Sequence, residues 1–149
     1  MRKNEILNAI LLWHGICSEF SMEMLGKLYS LQNYVISNKL LDKAHLNHEV
    51  LSHNLANIET PGYKRSKVEE TFDAKLQSLV DAKKVSQIKN LNPKAVVDFD
   101  SKPIRVDGNN VELDKELMHI NQNALNYEFL TQSVSGTIKH LNTAIRGRI

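Results

Sequence analysis

Apolar residues recur along this chain at helical spacing in two long blocks, and the rhythm is lost between them. The first block runs Leu25, Tyr29, Ile36, Leu40, Ala44, Leu51, Leu55 and Ile58. At about 100° per residue these positions fall within about 120° of arc, a width suited to one or two partner helices. About 35 residues of helix would be about 50 Å long, more than one small globular domain needs. Gln32, Asn33 and Asn47 interrupt the apolar face, making it a poor core for a lone chain. The second block is more regular: Leu113, Leu117, Ile120, Ala124, Tyr127, Thr131, Val134, Ile138, Leu141 and Ile145. Its steps alternate four and three, a 3.5-residue seam in which only Thr131 is polar. Gly136 falls off the seam. Asn110 is expected to cap this helix, with Glu112 and Asp114 in its first turn and Arg146 and Arg148 at its last, as the helix dipole favours.

The first block ends in a break at Ser52 to Arg65, SHNLANIETPGYKR. Pro61 pushes Thr60 out of the α region, and Gly62 takes positive φ at no steric cost. Asn54 and Asn57, three apart, project from about one face just before the break. Their amides both donate and accept, which suits fastening a helix end to a turn or to a neighbouring chain. Tyr63 is the first large side chain beyond it.

After the break, Val68 to Lys84 reads as a short amphipathic helix on Val68, Phe72, Leu76, Leu79 and Val80. Ser86 to Asn110 loses periodicity and carries the turn signals Asn92-Pro93, Lys102-Pro103 and Asp107-Gly108. There Val96, Val97 and Phe99, then Ile104 and Val106, offer two short strands, and disorder in the lone chain is the other reading. The expected organisation is a 1–23 extension of doubtful status, a 24–60 N-terminal assembly helix, a 61–110 middle of loop, short helix and weak order, and a 111–149 C-terminal assembly helix. The fold class is mainly α, with long terminal helices forming a coiled-coil layer on assembly and a short irregular or small-β middle.

Residues 1–23 stand apart. Arg2 and Lys3 precede an apolar run, Ile6 to Trp13, which superficially suggests a signal peptide but is too short to span a membrane and lacks a small-x-small cleavage site. Three readings remain: an amphipathic helical extension, a weak targeting element, or an over-long start with the initiator at Met22 or Met24, the last being the favoured expectation.

Composition narrows function further. At 149 residues, the chain has room for one domain and a modest core. A net charge of +2 lacks the concentrated basic face of a nucleic-acid binder, and the densest cluster, Lys64-Arg65-Ser66-Lys67, reads as a solvated loop. The single Cys17 excludes an intrachain disulfide. His45, His48 and His53 do not share a helix face, and His48-Glu49-Val50-Leu51-Ser52-His53 is one residue too long for a zinc-protease motif. Asp98, Asp100 and Asp107 do not have EF-hand spacing and read as solvated loop acids. Ser52 and His53 point from different helix faces, and the glycines are scattered. An enzyme, a metal or cofactor site, and a small-molecule substrate are therefore not expected.

The string at Leu51 to Arg65 resembles the N-terminal signature of bacterial flagellar rod and hook proteins, N-[IL]-A-N-x-x-T-P-G-[YF], matched by Asn54, Leu55, Ala56, Asn57, Thr60, Pro61, Gly62 and Tyr63. Asp107 to Glu116, DGNNVELDKE, is similar to the start of the C-terminal helix in one proximal-rod branch of that family, and Asn123, Leu125 and Tyr127 follow as its N-x-L-x-Y string. The resemblance covers about Leu25 to Ile149. It implies an axial structural component of the basal body near the rod base in the periplasm. It further implies export through the flagellar type III apparatus and terminal regions that order on assembly. The implied partners are other copies, other rod proteins, the rod-base adaptor FliE, and the MS-ring and export gate. A coiled-coil adaptor or export chaperone without a filament role is the alternative.

Overall fold

A computed structural model describes residues 32–147, and the readings placed on residues 1–31 and on Arg148 lie outside them. Residues 35–149 form one compact unit, to which the apolar core and the small sheet wholly belong. Helix α1 occupies residues 32–56. It is followed by β1 (Ser66–Val68), α2 (Thr71–Asp81), α3 (Val85–Asn90), β2 (Ala95–Val97) and α4 (Leu113–Arg146).

The apolar core is small. Val35 of α1, Phe72 and Leu76 of α2 and Ile88 of α3 are buried together, with Ile36, Leu40, Leu79, Val80, Val85 and Leu91 packed around them. Phe72 and Ile88 are fully enclosed, each such side chain stabilising by about 2–3 kcal/mol. Asp73 anchors α2 to α1 through the Lys43 ammonium at 2.6 Å. The expected amphipathic helix is thus present but starts later: Val68 belongs to a strand, and Lys83 takes φ 54°, which stops α2.

The strands bear out half of a second expectation, because Val96 and Val97 lie in β2, and correct the other half. β1 and β2 pair antiparallel, Ser66 with Val97, Lys67 with Val96 and Val68 with Ala95. Ile104 and Val106 form no strand; the chain turns there, with Ile104 N and Arg105 N donating to Asn109 O. The chain from Val85 to Asn90 also forms α3, whose six residues are too few for a period to show in sequence.

Helix α4 has 34 residues, about 50 Å of rise, and ends where Gly147 adopts the left-handed conformation at φ 61°. It runs antiparallel to α1: Asn123 meets Ala44 and Asn47, while Glu116, seven residues earlier, meets Asn54, seven residues later than Asn47. The face it turns inward is not the apolar seam. Its two buried residues are Glu116 and Asn123. Of the seam, Ile120 and Val134 are half-buried and the rest are exposed.

Candidate functional site: a polar joint between the two motifs

The best-built polar site lies where α1 ends, and it unites segments far apart in sequence. Asn54, on the last turn of α1, is fully buried. Its Nδ2 donates to Ser66 O at 2.8 Å and to Glu116 Oε2 at 3.2 Å, and its Oδ1 accepts from Ser66 N at 2.9 Å and Tyr63 Oη at 3.2 Å. The carboxamide therefore bonds both backbone groups of Ser66, as a neighbouring strand would. This holds Ser66 extended and explains why β1 forms where apolar spacing alone suggests helix.

Asn110 does the same at the other end of the ladder. Its Oδ1 accepts from Arg65 N at 2.7 Å and its Nδ2 donates to Asp98 O at 3.2 Å. The expected cap on α4 is absent as a result. The N-cap position is Glu112, with no side-chain cap bond, because Asn110 is spent on the strands. Asn109, also fully buried, sends its Nδ2 to the carbonyls of Asn57, Ile58 and Thr60 at 3.2, 3.0 and 3.0 Å. Those carbonyls belong to the turn that follows α1, where Asn57 O and Thr60 O also accept from Thr60 N and Tyr63 N, so Asn109 fastens the exit from the first helix from a position just before the last. Its Oδ1 accepts from Val111 N at 2.8 Å.

Charge completes the joint. Arg65 Nε donates to Glu116 Oε1 at 2.5 Å and Arg65 Nη1 to Asp98 Oδ2 at 3.1 Å. Both carboxylates are buried. The reading of Lys64-Arg65-Ser66-Lys67 as a solvated loop is overturned here, and so is that of Asp98 as a solvated acid. Burial alone would lower the Arg65 pKa, but the bonds and charges of Glu116 and Asp98 outweigh it and raise it. Asp98 is held below its ordinary value first by the Ser101 hydroxyl, which outweighs the opposing effect of burial, with further help from Arg65 and Lys67.

The residues singled out in sequence distribute unevenly. Asn57 stays local, donating to His53 O and accepting from the Thr60 hydroxyl. Leu55 and Tyr63 are half-buried, while Ala56, Thr60, Pro61 and Gly62 are exposed. Gly62 takes the positive φ its position calls for, 70°, and its N–H donates to Asp107 O at 3.0 Å. Lys64 Nζ reaches Gly108 O at 2.8 Å, and Arg105 Nη1 reaches Ile58 O at 2.8 Å. The string at Asn54 to Tyr63 and the string at Asp107 to Glu116 are thus two halves of one joint. Sequence reasoning missed Arg65, Asp98, Asn109 and Glu116 as members; the run of two asparagines at 109 and 110 was the available signal. His45, His48 and His53 are exposed on α1.

A largely helical chain whose most elaborate site is a satisfied polar joint, every buried side-chain donor and acceptor among the described residues being paired, is built as a structural element. No protein-family model matches the chain, but individual proteins do. It is 33% identical over 128 residues to the flagellar basal body rod protein FlgB of Borrelia hermsii, covering 74% of this chain and 93% of that protein. The Aquifex aeolicus FlgB is 34% identical over 103 residues, covering 68% of this chain and 82% of the relative. The FlgB of Bacillus subtilis is 28% identical over 128 residues, with 82% and 95% covered. The chain belongs to the FlgB family of flagellar basal body rod proteins. Its role is structural, in the basal body of the flagellum.

Proposed function

We propose that this chain enters the proximal rod by packing its terminal helices into a coiled-coil layer with other copies and with other rod proteins. In that position it links the MS-ring and export gate, through the adaptor FliE, to the next rod proteins, having left the cell through the flagellar type III apparatus. The joint at Asn54 to Tyr63 sets the path by which the chain leaves the layer and performs no chemistry.

The observation that supports this reading is the exposed seam. Leu113, Leu117, Tyr127, Ile138, Leu141 and Ile145 stand open to solvent along α4, Ile145 at 81%. A contiguous apolar stripe of this length marks an interaction surface, and the alternation of threes and fours is that of helices packing side by side. Burying six such side chains against a neighbour would stabilise the contact by several times the roughly 2 kcal/mol that each contributes, enough to offset the ordering of the helix end.

Ile138→Asp tests it. The variant should be expressed at normal levels yet be missing from purified basal bodies, and the cells should not swim. Normal incorporation would remove the seam from the interface. Complete basal bodies in a deletion strain would replace the rod reading with a coiled-coil adaptor or export chaperone.

A further inference from the structure

Helix α4 carries a second apolar face that the heptad reading does not include. Met118, Leu125 and Phe129 fall within about 40° of one another and about 150° from the buried Glu116 and Asn123. Met118 and Leu125 point away from α1, while Phe129 stands at the rim of a cleft that it lines with Leu40, Lys43 and Ala44 of α1. They are 58%, 69% and 72% exposed. Asp114 and Glu128 flank this face, and neither forms an ion pair among the described residues.

A matching surface occurs elsewhere on the same chain. The loop from Phe99 to Val106 displays Phe99, Ile104 and Val106, all exposed. Lys102 sits among them and also forms no ion pair among the described residues. The loop does not reach the second face of its own α4. Lys102 and Ile104 instead line a cleft of about 400 Å³ with Arg65, Glu112, Lys115 and His119, on the flank of α4 nearer the joint.

We infer that the Phe99–Val106 loop of one copy docks on the Met118–Leu125–Phe129 face of α4 in the next copy, with Lys102 opposite Asp114 and Glu128. This deepens the rod reading and rests on it. Asp100 of the loop is paired with Lys67 at 3.6 Å, so Lys102 and Arg105 leave this apolar surface net positive, complementary to the acids beside the α4 face. The face spans about 16 Å along the helix, within reach of an eight-residue loop. Because donor and acceptor are different parts of the chain, the contact is heterologous and leaves each end of a pair free to add another copy. It gives α4 a neighbour on the side the seam does not use.

Cysteine cross-linking in basal bodies of the native host tests the contact, with Cys17→Ser as background so that no native thiol competes. Cells would co-express one copy bearing Val106→Cys and a second, tagged copy bearing Leu125→Cys. An oxidised adduct of the two copies is expected, and neither single-cysteine strain alone should give it. The absence of an adduct from assembled basal bodies would overturn the proposal, as would capture of a different rod protein by Leu125→Cys. Charge exchange provides a second reading. Lys102→Glu should reduce the swimming fraction at least tenfold, and Glu128→Lys in the same chain should restore most of it. No loss, or a loss without restoration, would overturn the contact. If Ile138→Asp still prevents incorporation while the loop variants assemble normally, the rod reading stands and this docking falls. If Ile138→Asp also incorporates, the seam reading fails independently.

Discussion

Asn54 and Glu116, 62 positions apart, are joined by a hydrogen bond of 3.2 Å in a site closed to solvent. Through it the end of α1 and the first turn of α4 share one network, because Glu116 also holds Arg65 and Asn54 also holds Ser66. Replacing Asn54 with alanine leaves Ser66 N–H and one Glu116 oxygen short of partners. Each buried group so stranded costs about 1–3 kcal/mol. Urea unfolding of Asn54→Ala should show a loss of at least about 2 kcal/mol on that basis; a loss under about 0.5 kcal/mol would mean that water replaces the amide and the joint is not tightly sealed.

Arg65 tests the charged part. Arg65→Met leaves Glu116 buried without a cation and Asp98 with only Lys67, 3.6 Å away, a change that costs about 3 kcal/mol or more. Adding Glu116→Gln to the same chain removes one of the stranded charges and should recover part of the loss. A double variant no more stable than Arg65→Met would show that Arg65 acts by packing rather than by charge.

Acid should loosen the joint from the Asp98 side. Its carboxyl is held below the ordinary value, so its contribution is complete above about pH 4, near the unfolded carboxylate pKa. It is lost as pH falls through the lower folded value. The stability difference between the natural chain and Asp98→Asn should therefore be constant from neutral pH down to about pH 5 and shrink below about pH 4. A gap that persists unchanged toward pH 2 would rule out the carboxylate as its source.

At Gly62 the cost is one of backbone alone. A Cβ added there would meet only Asp107 O, at 4.0 Å, an ordinary contact. With φ at 70°, Gly62→Val should still destabilise by about 1–2 kcal/mol, and Gly62→Asn by less. Equal effects of the two, by thermal unfolding, would point to crowding instead of backbone preference.

Hydrogen exchange should divide α4. Amides from Glu116 to Asn123 lie against α1 and should exchange slowly, whereas those from Ile138 to Arg146, on a fully exposed end, should exchange quickly in the isolated chain. Incorporation into the rod should slow the second group and raise helicity by circular dichroism. Uniform slow exchange in the monomer would contradict assembly-coupled ordering.

What could be read in sequence depends on how far each signal extends along the chain. The terminal helices were legible because a period repeated over many turns, and the exit from α1 because Thr60, Pro61 and Gly62 constrain backbone directly. The strands were half legible: Val96 and Val97 stood out and do lie in β2, whereas β1 gave no sign of itself. Each is three residues long and is held by amides brought from Asn54 and Asn110, so its cause lies outside its own sequence. The inward face of α4 was hidden for a related reason. Glu116 and Asn123 look like surface residues until Arg65, Asn54, Ala44 and Asn47 arrive to satisfy them. The joint was half legible, since Asn54 and Tyr63 stood out while the partner that fastens the exit, Asn109, looked like part of another helix's start.

Among the described residues, the polar contacts that hold α4 to α1 end at Asn123, and the helix continues to Arg146. From Asn123 to Ile145 is about 33 Å of rise, a long arm whose polar grip lies at one end. A tilt of about 5° at the grip would carry the tip about 3 Å sideways over that rise, enough to lift a leucine out of the hollow meant for it. Aim, then, is what the joint supplies. Substitutions at Asn54, Arg65 or Glu116 would misdirect Leu141 and Ile145 without altering either, and an assembly defect mapped to those buried positions would be an error of angle transmitted along a stiff arm.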